Sequence, residues 1–332
     1  MRSATLAIRL TLLIAVGLMA GCAAIVDYRA DEREARAERE FPPVGQFVDV
    51  GGGRQVHAVV AGSGPDLVLI HGANGNLRDM TYDMVERMSD RYRVIAFDRP
   101  GFGYTDRADP SYDSAFTTRA ESPSEQAAML RAAAIALGAD RPIVMGHSYG
   151  GAVALAWALD FPGEVAGVVD VAGVSMPWPD GLGPLYTIPG SWVGGAVAPP
   201  VAAAFVTDDI IDSSIKGVFD PDPVPPGYFD HFGAALSLRR PTIRANARQV
   251  NTLRPHVVDM SERYGDLDLP VEIVHGDSDT IVPLEIHSEP LSRLIPGANL
   301  TVLPGVGHMA HHADPAAVAD AIDRVAERAG LR

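Results

Sequence analysis

The chain has 332 residues, ordinary apolar and aromatic content, and a formal net charge of −15 at pH 7. That length allows one large domain or two modest ones, with a core large enough to need no disulfide or metal staple. The acidic balance excludes the basic footprint of a nucleic-acid-binding protein.

Met1 to Arg9 carries Arg2 and Arg9, and Leu10 to Val26 runs 17 residues without a charge. Residues 1–26 therefore read as an export signal or a membrane anchor. The one cysteine falls inside, in Leu18-Met19-Ala20-Gly21-Cys22. Small residues before a lone Cys resemble a bacterial lipoprotein processing site, with Met19 where Leu is usual. Three outcomes stay open: lipidation of Cys22, an uncleaved signal anchor at the short end for a span, or a cleaved soluble product. All three place the body of the protein outside the cytoplasm, and the first two hold it at the membrane. Asp27 to Glu40 alternates acid and base, with Glu32 and Arg36 spaced to pair on a helix. Residues 27–43 are expected to be a solvated helical spacer, ended by Phe41-Pro42-Pro43.

Gln46–Val50 and Gln55–Val60 flank Gly51-Gly52-Gly53 and predict a hairpin. Leu67–Ile70 and Tyr92–Phe97 are short apolar runs of the buried-strand type. Ser122–Leu137 has helical spacing, with Ala127, Leu130, Ala134 and Leu137 on one face. Strands are expected at Pro142–Met145, Val165–Val171, Val271–His275 and Leu300–Leu303, and a closing amphipathic helix at Ala316–Arg328. This alternation predicts a mostly parallel sheet covered on both faces. Ser175 to about Asp268 breaks the rhythm. It is rich in Pro, Gly and Asp and carries Trp178, Trp192, Phe205, Phe219, Tyr228, Phe229 and Phe232. It reads as an insertion whose aromatic content suits a lid. The organisation expected is a core of 44–174 and 269–332 with a lid of 175–268.

Gly146-His147-Ser148-Tyr149-Gly150-Gly151 lies between an apolar strand and the small-residue helix Ala152–Leu159. Strand, sharp turn and helix with Ser at the apex is the nucleophile-elbow pattern, and glycines flank it because side chains there would collide. The bland alternative is a capping Ser in an ordinary turn. Serine needs a base and an orienter for that base, in the chain order Ser, acid, His. Gly276-Asp277-Ser278-Asp279 follows one strand and Gly307-His308 follows another. Asp279 is favoured as the acid, Asp277 as a turn cap, and Asp170 is a lesser alternative. His308 is the base. His311 and His312 form a pair for which no partner ligands are evident, so they are expected on a solvated face. His275 and His147 are expected to be structural neighbours. An oxyanion hole needs two backbone N–H donors. Tyr149 supplies one and Ala73, in His71-Gly72-Ala73-Asn74-Gly75-Asn76, the other, with Asn74 as runner-up.

With His71-Gly72 after a strand, Asp98-Arg99-Pro100-Gly101-Phe102-Gly103, the elbow, Gly276–Asp279 and Gly307-His308 in this order, the chain resembles the α/β-hydrolase superfamily in its lid-bearing esterase and lipase branch. The resemblance implies an α/β-hydrolase fold, with a mostly parallel eight-stranded sheet flanked by helices and a helical lid insertion. It implies Ser148, Asp279 and His308 as a triad, Ala73 and Tyr149 as oxyanion donors, and substrate contacts from Asn74, His147 and Met309. It implies a small-molecule substrate, no cofactor and no metal. Thr105 stands where members often have Ser after the buttress loop. Ser148 argues against the Asp-nucleophile dehalogenases and epoxide hydrolases. Met309 replaces the Trp usual in the carbon–carbon hydrolases of ring degradation. Carboxylic-ester hydrolysis leads, ahead of carbon–carbon hydrolysis and a ligand-binding module with a vestigial triad.

Overall fold

A computed structural model describes residues 2–179 and 181–332; Met1, which opens the expected 1–26 segment, and Asp180 in the insertion lie outside the described residues. Eight strands form one sheet: β1 (Gln46–Asp49), β2 (Gln55–Ala61), β3 (Asp66–Ile70), β4 (Arg93–Phe97), β5 (Ile143–His147), β6 (Gly167–Val171), β7 (Val271–Gly276) and β8 (Asn299–Leu303). Their order is β1-β2-β4-β3-β5-β6-β7-β8. β1 and β2 form the expected antiparallel hairpin, β2 pairs antiparallel with β4, and every later pairing is parallel.

Helices connect the strands. α1 (Arg2–Glu40) precedes the sheet, α2 (Arg78–Thr81) and α3 (Met84–Met88) follow β3, α4 (Pro123–Ala136) follows β4, and α5 (Tyr149–Asp160) follows β5. Between β6 and β7 come α6 (Pro184–Gly190), α7 (Gly194–Phe205), α8 (Asp208–Phe219), α9 (Tyr228–Phe232) and α10 (Arg240–Ser261). α11 (Ser288–Leu294) leads to β8, and α12 (Ala310–Ala313) and α13 (Pro315–Arg328) close the chain. α4 starts where the sequence signals it. Ser122 Oγ accepts the Glu125 N–H at 3.1 Å and the Glu125 carboxylate accepts the Ser122 N–H at 2.8 Å, a reciprocal cap.

Period-two alternation sends successive strand residues to opposite faces. Val68, Ile70, Ile95, Phe97 and Val144 pack with α4 and α5. Leu67, Leu69, Val94, Ala96 and Met145 pack with α3 and α13. The sheet is thus buried on both faces, and all its loop-borne chemistry falls at the C-terminal ends of the parallel strands, where such sheets bind ligands.

Residues 27–40 depart from the solvated spacer expected. Ala30 and Ala37, two helical turns apart, are both buried. Ala30 packs with Val26 against Ala203, Ala204 and Ile243 of the insertion. Arg240 gathers Asp27, Asp31 and Glu34, and Arg239 reaches Glu38 at 3.1 Å. The alternating charges mask a small-residue stripe that lets α1 lie close on α7. By contrast, the 18-residue apolar window toward the start of α1 has none of its residues buried.

Candidate active site

β5 turns into α5 at Ser148, whose backbone has φ 54° and ψ −118°. A non-glycine residue held in such a region costs on the order of 1–3 kcal/mol and persists only where its surroundings impose it. Here they do. The Ser148 N–H donates to Val171 O at 3.0 Å, and its carbonyl accepts from the Gly151 and Val174 N–H groups at 3.0 and 3.1 Å. A Cβ on Gly146 would overlap the Gly150 carbonyl, and one on Gly150 would overlap the Ile70 carbonyl.

Asp279 lies beyond the end of β7. Its Oδ1 accepts the backbone N–H groups of Ile281 and Val282 at 2.8 and 2.9 Å. Its Oδ2 faces His308 Nδ1 at 2.7 Å and His275 Nε2 at 3.1 Å. Burial would raise the Asp279 pKa, but the hydrogen bonds from His275 and His308 outweigh it and hold the carboxyl well below the usual range. A carboxylate on Nδ1 places the His308 proton there and leaves Nε2 as the basic nitrogen. His275 is the structural neighbour expected: its Nε2–H also donates to Val282 O at 2.8 Å, so its Nδ1 accepts the Ser288 hydroxyl at 2.6 Å. Asp277 caps its turn through the Gly305 N–H at 2.7 Å. Asp170 is buried with both oxygens unpartnered among the described residues, and burial pushes it up to about 7.

His308 is held to the elbow by His147, whose Nε2–H donates to the His308 carbonyl at 3.0 Å. The two rings lie 4.8 Å apart. Burial, then His311 and His308, keep the His147 pKa well below its ordinary value, so it stays neutral. Among the described residues no hydrogen bond joins Ser148 Oγ to His308 Nε2. Such bonds are often long before substrate binds. Met309 is buried with Phe219, Tyr228 and Phe232 of the insertion.

His311 and His312 are not on a solvated face. Both Nε2 atoms donate to Asp79, at 3.1 and 2.8 Å, and Tyr228 O–H donates to the same carboxylate at 2.8 Å. Asp79 comes from α2, 232 positions before His311 in sequence, so nothing local announces it. These three residues could hold a metal, but the fit is poor. The carboxylate already takes three donors at hydrogen-bond distance. Both histidine Nδ1 atoms are buried without partners among the described residues, whereas metal-bound histidines normally donate that nitrogen to an outer group.

Tyr149 opens α5, so its N–H has no acceptor within the helix. Ala73 follows Gly72, and a Cβ on Gly72 would sit 3.1 Å from Ser148 Cβ. The Asn74 N–H, the alternative donor, is engaged by Asn246 Oδ1 of α10 at 2.8 Å. The loop is set by Arg99, a role not legible from the motif alone. Arg99 is fully buried, donates to the His71 and Gly72 carbonyls at 3.0 Å each, and donates to Gln126 and Gln249 at 2.9 Å. Its guanidinium also stacks 4.3 Å from the Tyr149 and Phe102 rings. His71 completes the turn. Its Nδ1–H donates to Gly72 O and its Nε2 accepts the Arg99 N–H, while burial and then Arg99 push its pKa down to about 4.

Comparison with known proteins gives the same outline. Residues 67–321 match the model of the alpha/beta hydrolase family. A pimeloyl-[acyl-carrier protein] methyl ester esterase of Vibrio campbellii is 25% identical over 266 residues, 74% of this chain and 89% of that protein. A 2-hydroxy-6-oxo-2,4-heptadienoate hydrolase of Pseudomonas putida is 27% identical over 272 residues, 80% and 90% of the two chains. The crystal structure of a membrane phospholipase A superposes with a TM-score of 0.66 at 19% identity, over 100% of this chain and 99% of that one, a likeness of fold alone. The eight-stranded sheet, the elbow between β5 and α5, and the family match lead to one conclusion: this chain belongs to the alpha/beta hydrolase family.

Proposed function

We propose that this protein is a serine hydrolase that cleaves carboxylic esters of small to medium apolar substrates. The observation that carries the reading is the Asp279–His308 Nδ1 hydrogen bond at 2.7 Å, on a loop tied through His147 to the strained Ser148 turn. Ser148 Oγ attacks the ester carbonyl while His308 Nε2 takes its proton. The carbonyl oxygen, now an anion, accepts the N–H groups of Ala73 and Tyr149, the latter at the positive end of α5. His308 then protonates the departing alcohol oxygen, leaving an acyl ester on Ser148. Water, deprotonated by His308, attacks that ester and releases the acid and Ser148. Asp279 keeps the proton of His308 on Nδ1 throughout. Residues 175–268 act as the lid that shapes the substrate pocket. Export, with residues 1–26 holding the body to the membrane as a signal anchor or through lipid on Cys22, fits the apolar, unburied start of α1.

A second reading, carbon–carbon bond hydrolysis with the same triad, is favoured by the likeness to the Pseudomonas hydrolase. Turnover of p-nitrophenyl butyrate, and labelling of Ser148 by a fluorophosphonate, test the first. Preference for a ring-cleavage dienoate over every ester tried would select the second. Labelling with no turnover on either would leave a binding module.

A further inference from the structure

The aromatic and aliphatic side chains of the insertion divide into two sets. Phe219, Tyr228 and Phe232 are buried against the core. Leu185, Ile188, Trp192, Val197, Val201 and Phe205 face outward, with Trp192 60% and Leu185 74% exposed. α7 carries no charged residue. Its Val197, Val201 and Phe205 form an exposed stripe at i, i+4 and i+8, while Ala203 and Ala204 are buried behind it. A helix apolar on every side belongs in a protein core or in lipid, and a soluble surface rarely exposes so large a patch without a partner.

What lies next to this patch identifies the partner. α7 packs on α1 where the charge-free run ends, with Ala203 and Ala204 against Val26 and Ala30. The Arg29 guanidinium stands 4.8 Å from the Phe205 ring, a cation at the level where headgroups would meet an apolar face. Arg240 pairs with Asp27, Asp31 and Glu34, one cation for three carboxylates, so the attraction to a bilayer lies in the apolar face and not in headgroup charge. A bilayer that takes in Leu10–Val26 has its boundary at α7.

α6 joins this surface to the site. Leu185 and Ile188 point outward, whereas Tyr186 between them is part-buried and its hydroxyl lies near the side chain of Asn74, one residue from Ala73. We propose that the outer face of α6 and α7 docks into the bilayer beside α1, and that the site takes ester substrates from the lipid phase. The docking rests on the exposed face and on the membrane reading of Leu10–Val26; the substrate class rests on the hydrolase reading above.

The test uses the full chain in vesicles of phosphatidylcholine and phosphatidylglycerol. Trp157 is buried and Trp178 part-buried, and both remain in Trp192→Phe, so the emission lost in that variant isolates Trp192. Expected is quenching of that emission by brominated phosphatidylcholine and shielding from aqueous acrylamide. Emission open to acrylamide and untouched by bromolipid overturns the proposal. So does emission shielded from both in a protein that runs as a dimer, since a second copy would then cover the face. Val197→Glu/Val201→Glu is expected to keep turnover of a soluble p-nitrophenyl ester. Hydrolysis of a vesicle-embedded ester is expected to fall about tenfold or more, the cost of one lost valine burial. Equal loss on both substrates, or loss on neither, overturns the lipid-phase route. A failure of the hydrolase reading abolishes turnover on both from the start and leaves the quenching result intact.

Discussion

Replacing Asp279 by Asn probes the triad sharply, because the structure fixes which way the amide turns. Oδ1 accepts two backbone N–H groups, from Ile281 and Val282. An amide nitrogen there would face two donors, so the oxygen stays and the NH2 takes the Oδ2 position. That group donates, and it faces His308 Nδ1 at 2.7 Å. His308 then accepts on Nδ1, carries its proton on Nε2, and no longer serves as a base. His275 keeps its donation to Val282 O, so the loop is expected to hold its shape. Loss of the correct tautomer is worth on the order of 10⁴ in kcat, about 5 kcal/mol of barrier. The assay is kcat and kcat/KM on p-nitrophenyl butyrate at pH 7.5, beside a thermal melt to show that the variant is folded. A folded Asp279→Asn protein within about tenfold of wild type would refute the assignment. So would an equal loss in Asp170→Asn, where a drop below about tenfold is expected, because neither Asp170 oxygen has a hydrogen-bond partner among the described residues, His308 included.

Ser148→Ala is expected to lower kcat by on the order of 10⁶ without lowering Tm, and to abolish fluorophosphonate labelling. Gly146→Ala sets a Cβ against the Gly150 backbone, and expression trials and melts are expected to show loss of more than about 4 kcal/mol or no folded protein. Arg99→Leu takes the guanidinium donors from the His71 carbonyl and two glutamine oxygens and leaves Gly72 O with His71 Nδ1–H and the Gly75 N–H; kcat is expected to fall on the order of 10²-fold, the worth of one oxyanion donor, with a lower Tm. His71 titrates near 6.5 when unfolded and at about 4 in the fold, so its contribution is complete above pH 6.5 and is lost as pH falls toward 4, at about 1.4 kcal/mol per pH unit. Melts in buffers from pH 7 to 4.5 are expected to show Tm falling continuously, and a flat Tm would contradict the burial of neutral His71.

The parts of the site legible in the sequence are those whose signal is local. A turn that must place Ser148 at φ 54° needs glycines within a few residues, and a triad member presented after a strand needs a tight loop. The ordering of Gly146–Gly151, Gly276–Asp279 and Gly307-His308 therefore survived as geometry. What failed was partner identity across the chain. Two adjacent histidines look solvent-facing until Asp79 closes on them from α2. That the Asn74 N–H is already taken depends on Asn246, 172 positions on. Residues 27–40 looked solvated because charge dominates their composition, yet the alanines at 30 and 37, not the charges, decide which face is buried.

The contacts of the insertion constrain how any lid motion proceeds. α9, α10 and the loop before α9 meet the site at four points: Asn246 on the Asn74 N–H, Gln249 on Arg99, Tyr228 on Asp79, and Asp222 on the Gly307 N–H beside His308. Three of the four bonds involve a charged group, worth roughly 1.5–3 kcal/mol each. Lifting α9 and α10 would also break the hydrogen bonds that Gln249 Nε2 donates to Pro100 O and Glu121, and would leave Arg99 and Asp79 buried and short of partners, which raises the cost further. α6 and α7 meet the rest of the protein differently. Their hydrogen bonds to α10 reach only carbonyls: Asn251 to Tyr186 O and Arg244 to Gly195 O. The inner half of the insertion is therefore tied into the proposed site by charged groups, whereas α6 and α7, the two helices that carry the exposed apolar face, are held by weaker polar contacts.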